Sequence, residues 1–221
     1  MIHLSNVTKR YSGKRDALSE ITLHIDTGEM VFLTGHSGAG KSTLLKLIAA
    51  IEKPSTGEVI VNGQNIHRLK QHAVPRLRRQ IGLIFQTPYL LRKQTVFENV
   101  ALPLVIEGLR HKEITSRTHA VLGQVGLLDL AKAFPDALSC GEQQRVGIAR
   151  AIVTKPFLLL ADEPTGNLDP GLAEQMIRLF ECFNQMGMTT LIASHNLALL
   201  RQFKRRTLTL DAGRLCGDEK Q

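Results

Sequence analysis

Residues 138–169 read LSCGEQQRVGIARAIVTKPFLLLADEPTGNLD, which joins the start of a helix to a short apolar strand that ends in two carboxylates. Residues 157–161 are all apolar, as expected of a strand buried on both faces of a parallel sheet. Asp162 and Glu163 then emerge at the carboxyl edge of that sheet, where doubly wound folds bind ligands. An isolated Asp-Glu pair could simply solubilise a strand end, but paired acids at this place suit a metal ion and a general base.

A second motif, GHSGAGKST at residues 35–43, fits the phosphate-binding loop pattern G-x-x-x-x-G-K-[ST]. Residues 30–34 form a candidate strand before it, and residues 41–51 have the apolar spacing of a helix after it. Glycines let successive backbone N–H groups turn inward around an anion, and the helix dipole adds positive potential. The predicted phosphate ligands are Gly35, His36, Ser37, Gly38, Ala39, Gly40, Lys41, Ser42 and Thr43.

Composition limits the possible functions. The chain has 221 residues, is 43% hydrophobic and carries a formal charge of +8, so it can bury a good core and could attract an acidic partner. Its basic runs at 68–79 and 204–206 are not interleaved with aromatics, which make up 5% of the chain, so we expect no nucleic-acid partner. A solvated basic face and a surface beside the cytoplasmic leaflet stay open. No apolar run approaches a membrane span, and the start MIHLSNVTKRY lacks the apolar core of a signal peptide, so we expect a cytosolic chain.

The pattern of elements changes along the chain. Strands are predicted in residues 1–35, and residues 95–153 are helical and strand-poor. After them strands and helices alternate again. The predicted elements of this part are a strand at 157–162, a helix at 171–186, a strand at 189–194, a helix from Asn196 and a hairpin at 206–215. A helical lobe is therefore expected to interrupt an α/β nucleotide-binding core.

The chain resembles the ATP-binding cassette ATPases over essentially its whole length. The resemblance implies a P-loop NTPase core with an antiparallel β subdomain and an inserted α-helical signature subdomain, all in one domain. The β part and RecA-like core would take about residues 1–90 and 155–221, and the helical subdomain about 91–154. The motifs that carry the resemblance occur in the family's order: Tyr11 for adenine stacking, the loop at 35–43, Gln86, the signature at 138–142, Asp162 with Glu163, the dimer-interface loop at 166–169 and the switch histidine His195.

The resemblance also implies the chemistry, which is hydrolysis of ATP with Mg²⁺. Glu163 would activate the attacking water, His195 would contact the γ-phosphate, Gln86 would contact the metal and the water, and Lys41 would neutralise charge. Mg²⁺ would be held by Ser42, Gln86 and Asp162. A second copy of the chain would complete the site in trans with its signature residues Ser139, Cys140, Gly141 and Glu142. The presence of both Glu163 and His195 favours a true hydrolase over a cassette that only signals.

The sequence ADEPTGNLD at 161–169 is typical of the subgroup that serves lipoprotein release, macrolide efflux and cell division. Other segments, among them GHSGAGKSTLLKLI and GEQQRVGIARAIV, look most like the bacterial cell-division members. That likeness implies an ATP-dependent homodimer, an integral membrane partner of the FtsX-like permease type, and activation of septal peptidoglycan hydrolases. It also leaves room for contacts with other division proteins. The expected location is the cytoplasmic face of the inner membrane, held there by the partner. A subunit of a lipoprotein-release or macrolide-efflux transporter stays open as the alternative.

The signature departs from the family pattern at Cys140, where a glycine usually stands. If Ser139 is the N-cap, Cys140 lies at the first helical position, where a side chain is allowed because φ is negative. Ser139 and Glu142 also match the S-x-x-E capping box. A purely structural cap therefore stays open beside a phosphate-binding role for the same hydroxyl.

Overall fold

The computed structural model describes residues 1–12 and 16–219. Within them the chain forms two β-sheets and a set of helices. The strands are β1 (Ile2–Arg10), β2 (Asp16–Ile25), β3 (Met30–Thr34), β4 (Thr56–Val61), β5 (Gln64–Asn65), β6 (Ile81–Ile84), β7 (Leu158–Asp162), β8 (Thr189–Ala193), β9 (Arg206–Asp211) and β10 (Arg214–Glu219). The α-helices are α1 (Lys41–Ile48), α2 (Val74–Arg78), α3 (Val96–Ile106), α4 (His111–Gln124), α5 (Cys140–Ile152), α6 (Pro170–Gln185) and α7 (Leu197–Leu200). Short 3₁₀ turns occur at Leu128–Leu130, Pro135–Ala137 and Arg201–Phe203.

The two sheets differ in topology. One is antiparallel, with four strands in the order β2-β1-β4-β5. The other has six strands in the order β10-β9-β3-β8-β7-β6, in which β9, β3, β8, β7 and β6 run parallel and β10 pairs antiparallel with β9. Strand β3 lies inside this sheet, between β9 and β8. The loop that follows β3 therefore leaves the sheet from its interior.

The parallel sheet is buried on both faces, and alternate residues of each strand enter different cores. In β3, Met30 and Phe32 pack with the helices α3 to α6, whereas Val31 and Leu33 pack with α1 and the antiparallel sheet. This division explains why these strands are continuously apolar instead of alternating. The strand predicted at 157–162 is β7, and its neighbours β6 and β8 are both parallel to it.

Between β6 and β7 the described chain is helical. Helix α3 begins with a capping box in which Thr95 accepts from the backbone N–H of Glu98 and the Glu98 carboxylate accepts from the N–H of Thr95. Buried Asn99 stabilises the turn before α3 by accepting from the N–H of Leu91 and donating to its carbonyl oxygen. Apolar residues of α3, α4 and α5 share one core with α6, so this segment packs against one face of the parallel sheet.

The predicted fold class is confirmed, since a P-loop core, an antiparallel sheet and an inserted group of helices are all present. One predicted helix is shorter than expected. The helix predicted at 41–51 ends at Ile48, because Ala50 takes a left-handed conformation with φ of 54°. The helix predicted from Asn196 is a single α-helical turn that continues as 3₁₀ and ends where Lys204 turns left-handed.

Candidate active site

A cavity of about 640 Å³ opens at the carboxyl edge of the parallel sheet. Strands β3, β6, β7 and β8 all end there, and each is followed by residues that line the cavity. This is the edge at which open α/β sheets bind ligands. The lining residues are Ala17, His36, Ser37, Gly38, Ala39, Gly40, Lys41, Ser42, Thr43, Gln86, Asp162, Glu163 and His195.

The loop between β3 and α1 leaves the start of α1 open toward this cavity. Gly40 is the N-cap of α1, has φ of 109° and offers no side-chain hydrogen bond to the helix. A side chain could not fit there either, because a Cβ on Gly40 would lie 2.6 Å from the carbonyl oxygen of Ala17. The uncapped N–H groups and the positive end of the helix dipole therefore suit an anion such as a phosphate chain.

Lys41 is buried, and its ammonium group lies at the centre of the loop. Its Nζ donates to the carbonyl oxygens of Gly35 at 2.7 Å and His36 at 3.2 Å, and it lies 3.5 Å from Glu163 Oε1. These contacts hold a positive charge between the loop and the acid at the end of β7.

Glu163 is fixed in an unusual conformation beside that lysine. Its φ is 50°, its N–H donates to the carbonyl oxygen of Ala193, and its Oε2 lies 2.9 Å from His195 Nδ1. Left-handed backbone at a residue with a side chain is uncommon and often accompanies functional sites. The bond from Glu163 N–H to Ala193 joins the ends of β7 and β8, and Glu163 and His195 line the cavity as a hydrogen-bonded pair.

Asp162 carries a buried oxygen, Oδ1, that has no hydrogen-bond partner in the described structure. A buried carboxylate oxygen without a partner is costly and fits a site that a cation completes. Ser42 and Gln86 line the same cavity and supply the oxygen ligands that Mg²⁺ prefers. Residues 1–12 and 16–219 contain no cluster of three or more His, Cys, Asp or Glu that could hold a metal. The residues present therefore fit Mg²⁺.

Gln86 also connects the cavity with the helices. Its Nε2 lies 3.4 Å from Asn167 Oδ1 in the loop after β7. The preceding carbonyl, of Phe85, accepts from Gln144 on α5 at 3.0 Å, and Arg150 on α5 donates to the carbonyl oxygens of Pro88 and Tyr89. The segment at 85–89 is thus bonded to α5 while it places Gln86 at the cavity.

Two groups of predicted site residues lie elsewhere. Tyr11 does not line this cavity; it lines a separate groove, and Lys9 Nζ lies 5.0 Å from the centre of its ring. Its predicted role in adenine stacking stays a prediction.

The signature residues Ser139, Cys140, Gly141 and Glu142 are the second group, and they also lie away from the lining of the cavity. Ser139 is the N-cap of α5, and the predicted capping box is formed: Glu142 N–H donates to Ser139 Oγ at 3.3 Å, and Glu142 Oε2 accepts from Ser139 N–H at 2.8 Å and Oγ–H at 2.6 Å. Cys140 is the first residue of α5 and is exposed, whereas Gly141 packs close to Leu172. In one chain, then, these residues cap their own helix.

Sequence reasoning missed two features of the site. Ala17 of β2 lines the cavity, and the turn between β9 and β10 contacts the phosphate-binding loop through Asp211 and Gly213. The hairpin at 206–215 was predicted, but no local pattern in it indicated contact with a loop that lies about 175 positions earlier.

Comparison with known proteins agrees with this geometry. The model of the ABC transporter family matches residues 18–166. The cell division ATP-binding protein FtsE of Escherichia coli K12 is 57% identical over 217 residues, covering 98% of this chain and 98% of that protein. FtsE of Bacillus subtilis is 42% identical over 221 residues, covering 100% of this chain and 97% of that protein.

A solved structure is similar over the same range. It is the dimeric post-hydrolysis state of the ATP-binding cassette MJ0796 bound to ADP and Pi, with a TM-score of 0.91 and 36% identity, covering 100% of this chain and 98% of that one. In the part of the chain that the structure describes, no helix is both long enough and apolar enough to span a bilayer. The matched model and the identity over nearly the whole length show that the chain belongs to the ABC transporter family, in which it is an ATP-binding ATPase.

Proposed function

We propose that the chain is the ATP-hydrolysing subunit of a membrane ABC complex that acts in bacterial cell division. The observation that carries the hydrolytic part is the position of Glu163, between Lys41 Nζ at 3.5 Å and His195 Nδ1 at 2.9 Å, in a cavity lined by the phosphate-binding loop. The division role is supported by end-to-end similarity to proteins named for it, at 57% identity.

The reaction is transfer of the γ-phosphoryl group to water, in which catalysis is mostly positioning and neutralisation of charge. Open N–H groups of the loop and the Lys41 ammonium bind the phosphates and stabilise negative charge as it develops. Glu163 accepts the proton of the attacking water. His195 donates to one oxygen of Glu163 and so fixes the carboxylate while its ring faces the γ-phosphate.

Asp162, Ser42 and Gln86 would hold Mg²⁺. When bound, the ion neutralises charge on the β- and γ-phosphate oxygens. The unpartnered Oδ1 of Asp162 supports this assignment, because a cation would satisfy that oxygen.

The active form is a homodimer with two nucleotides between the subunits. The signature residues cannot complete the site of their own chain from where they lie, and the related cassette MJ0796 is dimeric. In the dimer, Ser139 of the partner subunit and the N–H groups that follow it would contact the γ-phosphate. Because both copies use the same surface, the interface is isologous.

An integral membrane partner of the FtsX-like permease type docks beside Gln86. A groove of about 240 Å³ lies between β6 and α3 and is lined by Arg79, Leu83, Leu102, Pro103, Ile106 and Arg150, among others. Large apolar side chains are exposed near this groove. They are Phe85 and Tyr89 in the loop between β6 and α3, and Val105 and Ile106 at the end of α3. Exposed apolar side chains around a groove are typical of a surface that another protein covers. Held in this way, the chain would lie on the cytoplasmic face of the inner membrane, and its cycle would activate septal peptidoglycan hydrolases.

The test is co-purification from detergent-solubilised bacterial membranes with ATP present. We expect the chain to bring down a four-span membrane protein of the FtsX type. The Ile106→Asp variant should lose this partner, whereas Leu128→Asp, which alters another exposed apolar residue on a different element, should keep it. Recovery of a lipoprotein-release or macrolide-efflux permease would replace the division role by the transport role, and recovery of ribosomes would overturn both.

A further inference from the structure

The turn between β9 and β10 rests directly on the phosphate-binding loop. Gly213 N–H donates to the carbonyl oxygen of Ala39 at 3.1 Å, and the Gly213 carbonyl oxygen accepts from Ser19 N–H at 2.8 Å. The turn thereby bonds to the loop on one side and to β2 on the other. These are backbone contacts between parts of the chain that lie far apart in sequence.

Glycines make this contact close. A Cβ on Gly35 would lie 2.3 Å from the carbonyl oxygen of Leu210, and a Cβ on Gly213 would lie 2.9 Å from that of Ala17. Real Cβ atoms do not approach that closely, so both positions require glycine. The loop is thus packed against β9 at Gly35, and the turn is packed against β2 at Gly213.

One side-chain pair adds to the backbone contacts. His36 Nε2 lies 2.9 Å from Asp211 Oδ1, and His36 Nδ1 lies 2.6 Å from the carbonyl oxygen of Ser37. Both partners are hydrogen-bond acceptors, so the His36 ring is held between the end of β9 and its own loop. His36 lines the cavity, whereas Asp211 does not. Asp211 thus contacts the lining of the cavity through His36.

The loop is thus held from two sides. From inside, Lys41 Nζ donates to the carbonyl oxygens of Gly35 and His36, but the same ammonium is the group that must serve the phosphates. From outside, Asp211 contacts the His36 ring and Gly213 donates to the Ala39 carbonyl oxygen, so these contacts do not use the Lys41 ammonium. The outer contacts can persist when Lys41 turns to a nucleotide.

We propose that Asp211 is a positioning residue for nucleotide binding, which acts by holding His36 and with it the first half of the phosphate-binding loop. The inference rests on the proposed ATP site. The side chains of His36 and Asp211 are 59% and 66% exposed, so the ion pair itself is partly screened by water. We therefore expect a modest effect on affinity, of about fivefold.

The experiment compares Asp211→Ala with Asp211→Asn. In the alanine variant the Kd for MgADP and the KM for MgATP should rise about fivefold, with kcat within about twofold of the parent protein, because Asp211 does not touch the reacting atoms. Asparagine keeps an acceptor oxygen at the same place and should recover most of the affinity. Adding Asp211→Ala to His36→Ala should cause little further loss, since both changes break one contact.

A matched control is available in the same protein. His24 Nε2 and Asp26 Oδ1 also lie 2.9 Å apart and are exposed, but neither residue lines the cavity. Asp26→Ala should leave Kd and KM unchanged. An unchanged affinity in Asp211→Ala, full additivity with His36→Ala, or a fall in kcat alone would overturn the inference. Failure of the unaltered chain to bind MgADP would instead overturn the proposed ATP site, so the two failures are distinguishable.

Discussion

The first turns of α1 and α5 differ in capping: α1 has no side-chain cap, whereas α5 is capped by its own side chains. At α1 the N-cap is Gly40, which offers no side-chain acceptor, and the surrounding loop lines the cavity. At α5 the N-cap is Ser139, whose hydroxyl and backbone N–H are both engaged with Glu142. An anion can enter the first helix start directly, whereas at the second it must replace a protein carboxylate.

This difference gives the two phosphate contacts an order. The α1 contacts are available within a single chain, so we expect nucleotide to bind there first. The α5 site becomes available only if the box opens, and the γ-phosphate of a nucleotide held by the partner subunit would then take the place of Glu142. Four changes to the chain test this division between a site of the monomer and a site of the pair.

The largest effect is expected from Glu163→Gln. An amide cannot accept the proton of the attacking water, so turnover should fall about 10²- to 10⁴-fold while both helix starts keep their phosphate contacts. Steady-state phosphate release and size-exclusion chromatography with ATP should show an inactive dimer. Glu174→Gln on α6, outside the cavity lining, should behave like the parent protein. Unchanged turnover in Glu163→Gln would remove this residue from the role of base.

Ser139→Ala should come next and should separate the two sites. Loss of a donor to the partner's γ-phosphate should lower turnover about tenfold or more, with MgADP affinity of the single chain unchanged. The change also removes a cap, which costs about 1 kcal/mol of stability. Thr95→Ala is the matched control, because it breaks the same type of capping box at α3. It should cost similar stability by chemical denaturation and leave turnover intact; equal loss of turnover in both variants would reduce Ser139 to a structural cap.

Gly40→Ala should damage the monomer site instead. The new Cβ would meet the Ala17 carbonyl oxygen at 2.6 Å, and φ of 109° is unfavourable for alanine. A strain of about 1 to 3 kcal/mol should weaken MgADP binding by about tenfold, measured by isothermal titration. Gly28 also has a positive φ, of 76°, but a Cβ there would meet nothing within 4 Å. If Gly28→Ala weakened nucleotide binding equally, the close approach at Gly40 would not be the cause.

The smallest effect is expected from Glu142→Gln, which alters the capping box at the start of α5. Hydrogen bonds from the Ser139 hydroxyl and then its backbone N–H hold the pKa of Glu142 below its usual range. A depressed pKa in the folded state means that the carboxylate stabilises the chain above its usual pKa and that this contribution is lost as pH falls through the folded value. The parent protein should therefore lose slightly more Tm than Glu142→Gln between pH 7 and pH 4. Because the group is exposed, the difference should be no more than about 2 °C. Parallel Tm profiles would contradict the role of the carboxylate.

The parts of this comparison that the sequence could predict are local ones. The capping box needs residues three positions apart, and the phosphate-binding loop needs glycines and a lysine at fixed spacing between a strand and a helix, so both follow from short patterns. The position of Asp162 and Glu163 was also predictable, because residues that follow a buried parallel strand lie at the carboxyl edge of the sheet.

Other features depend on how distant segments pack, which no short pattern encodes. The contact of His36 with Asp211 joins residues 175 positions apart. Tyr11 directly follows β1, and its groove is lined by residues from β1, β2, β4 and β10 together. The sequence predicted the start of α7 at Asn196 but not where the helix ends, because lysine is not a residue type typical of the left-handed turn found at Lys204.

The place of β6 in the sheet has a mechanical consequence. It is the outermost strand and pairs with β7, whereas β3 is held between β9 and β8. Shifting β6 would disturb one ladder of hydrogen bonds, and shifting β3 would disturb two. The sheet is therefore compliant at the edge that carries Phe85 and Gln86, and stiff where it supports the phosphates. A force applied near Phe85 would reach α5 through the bonds of Gln144 and Arg150.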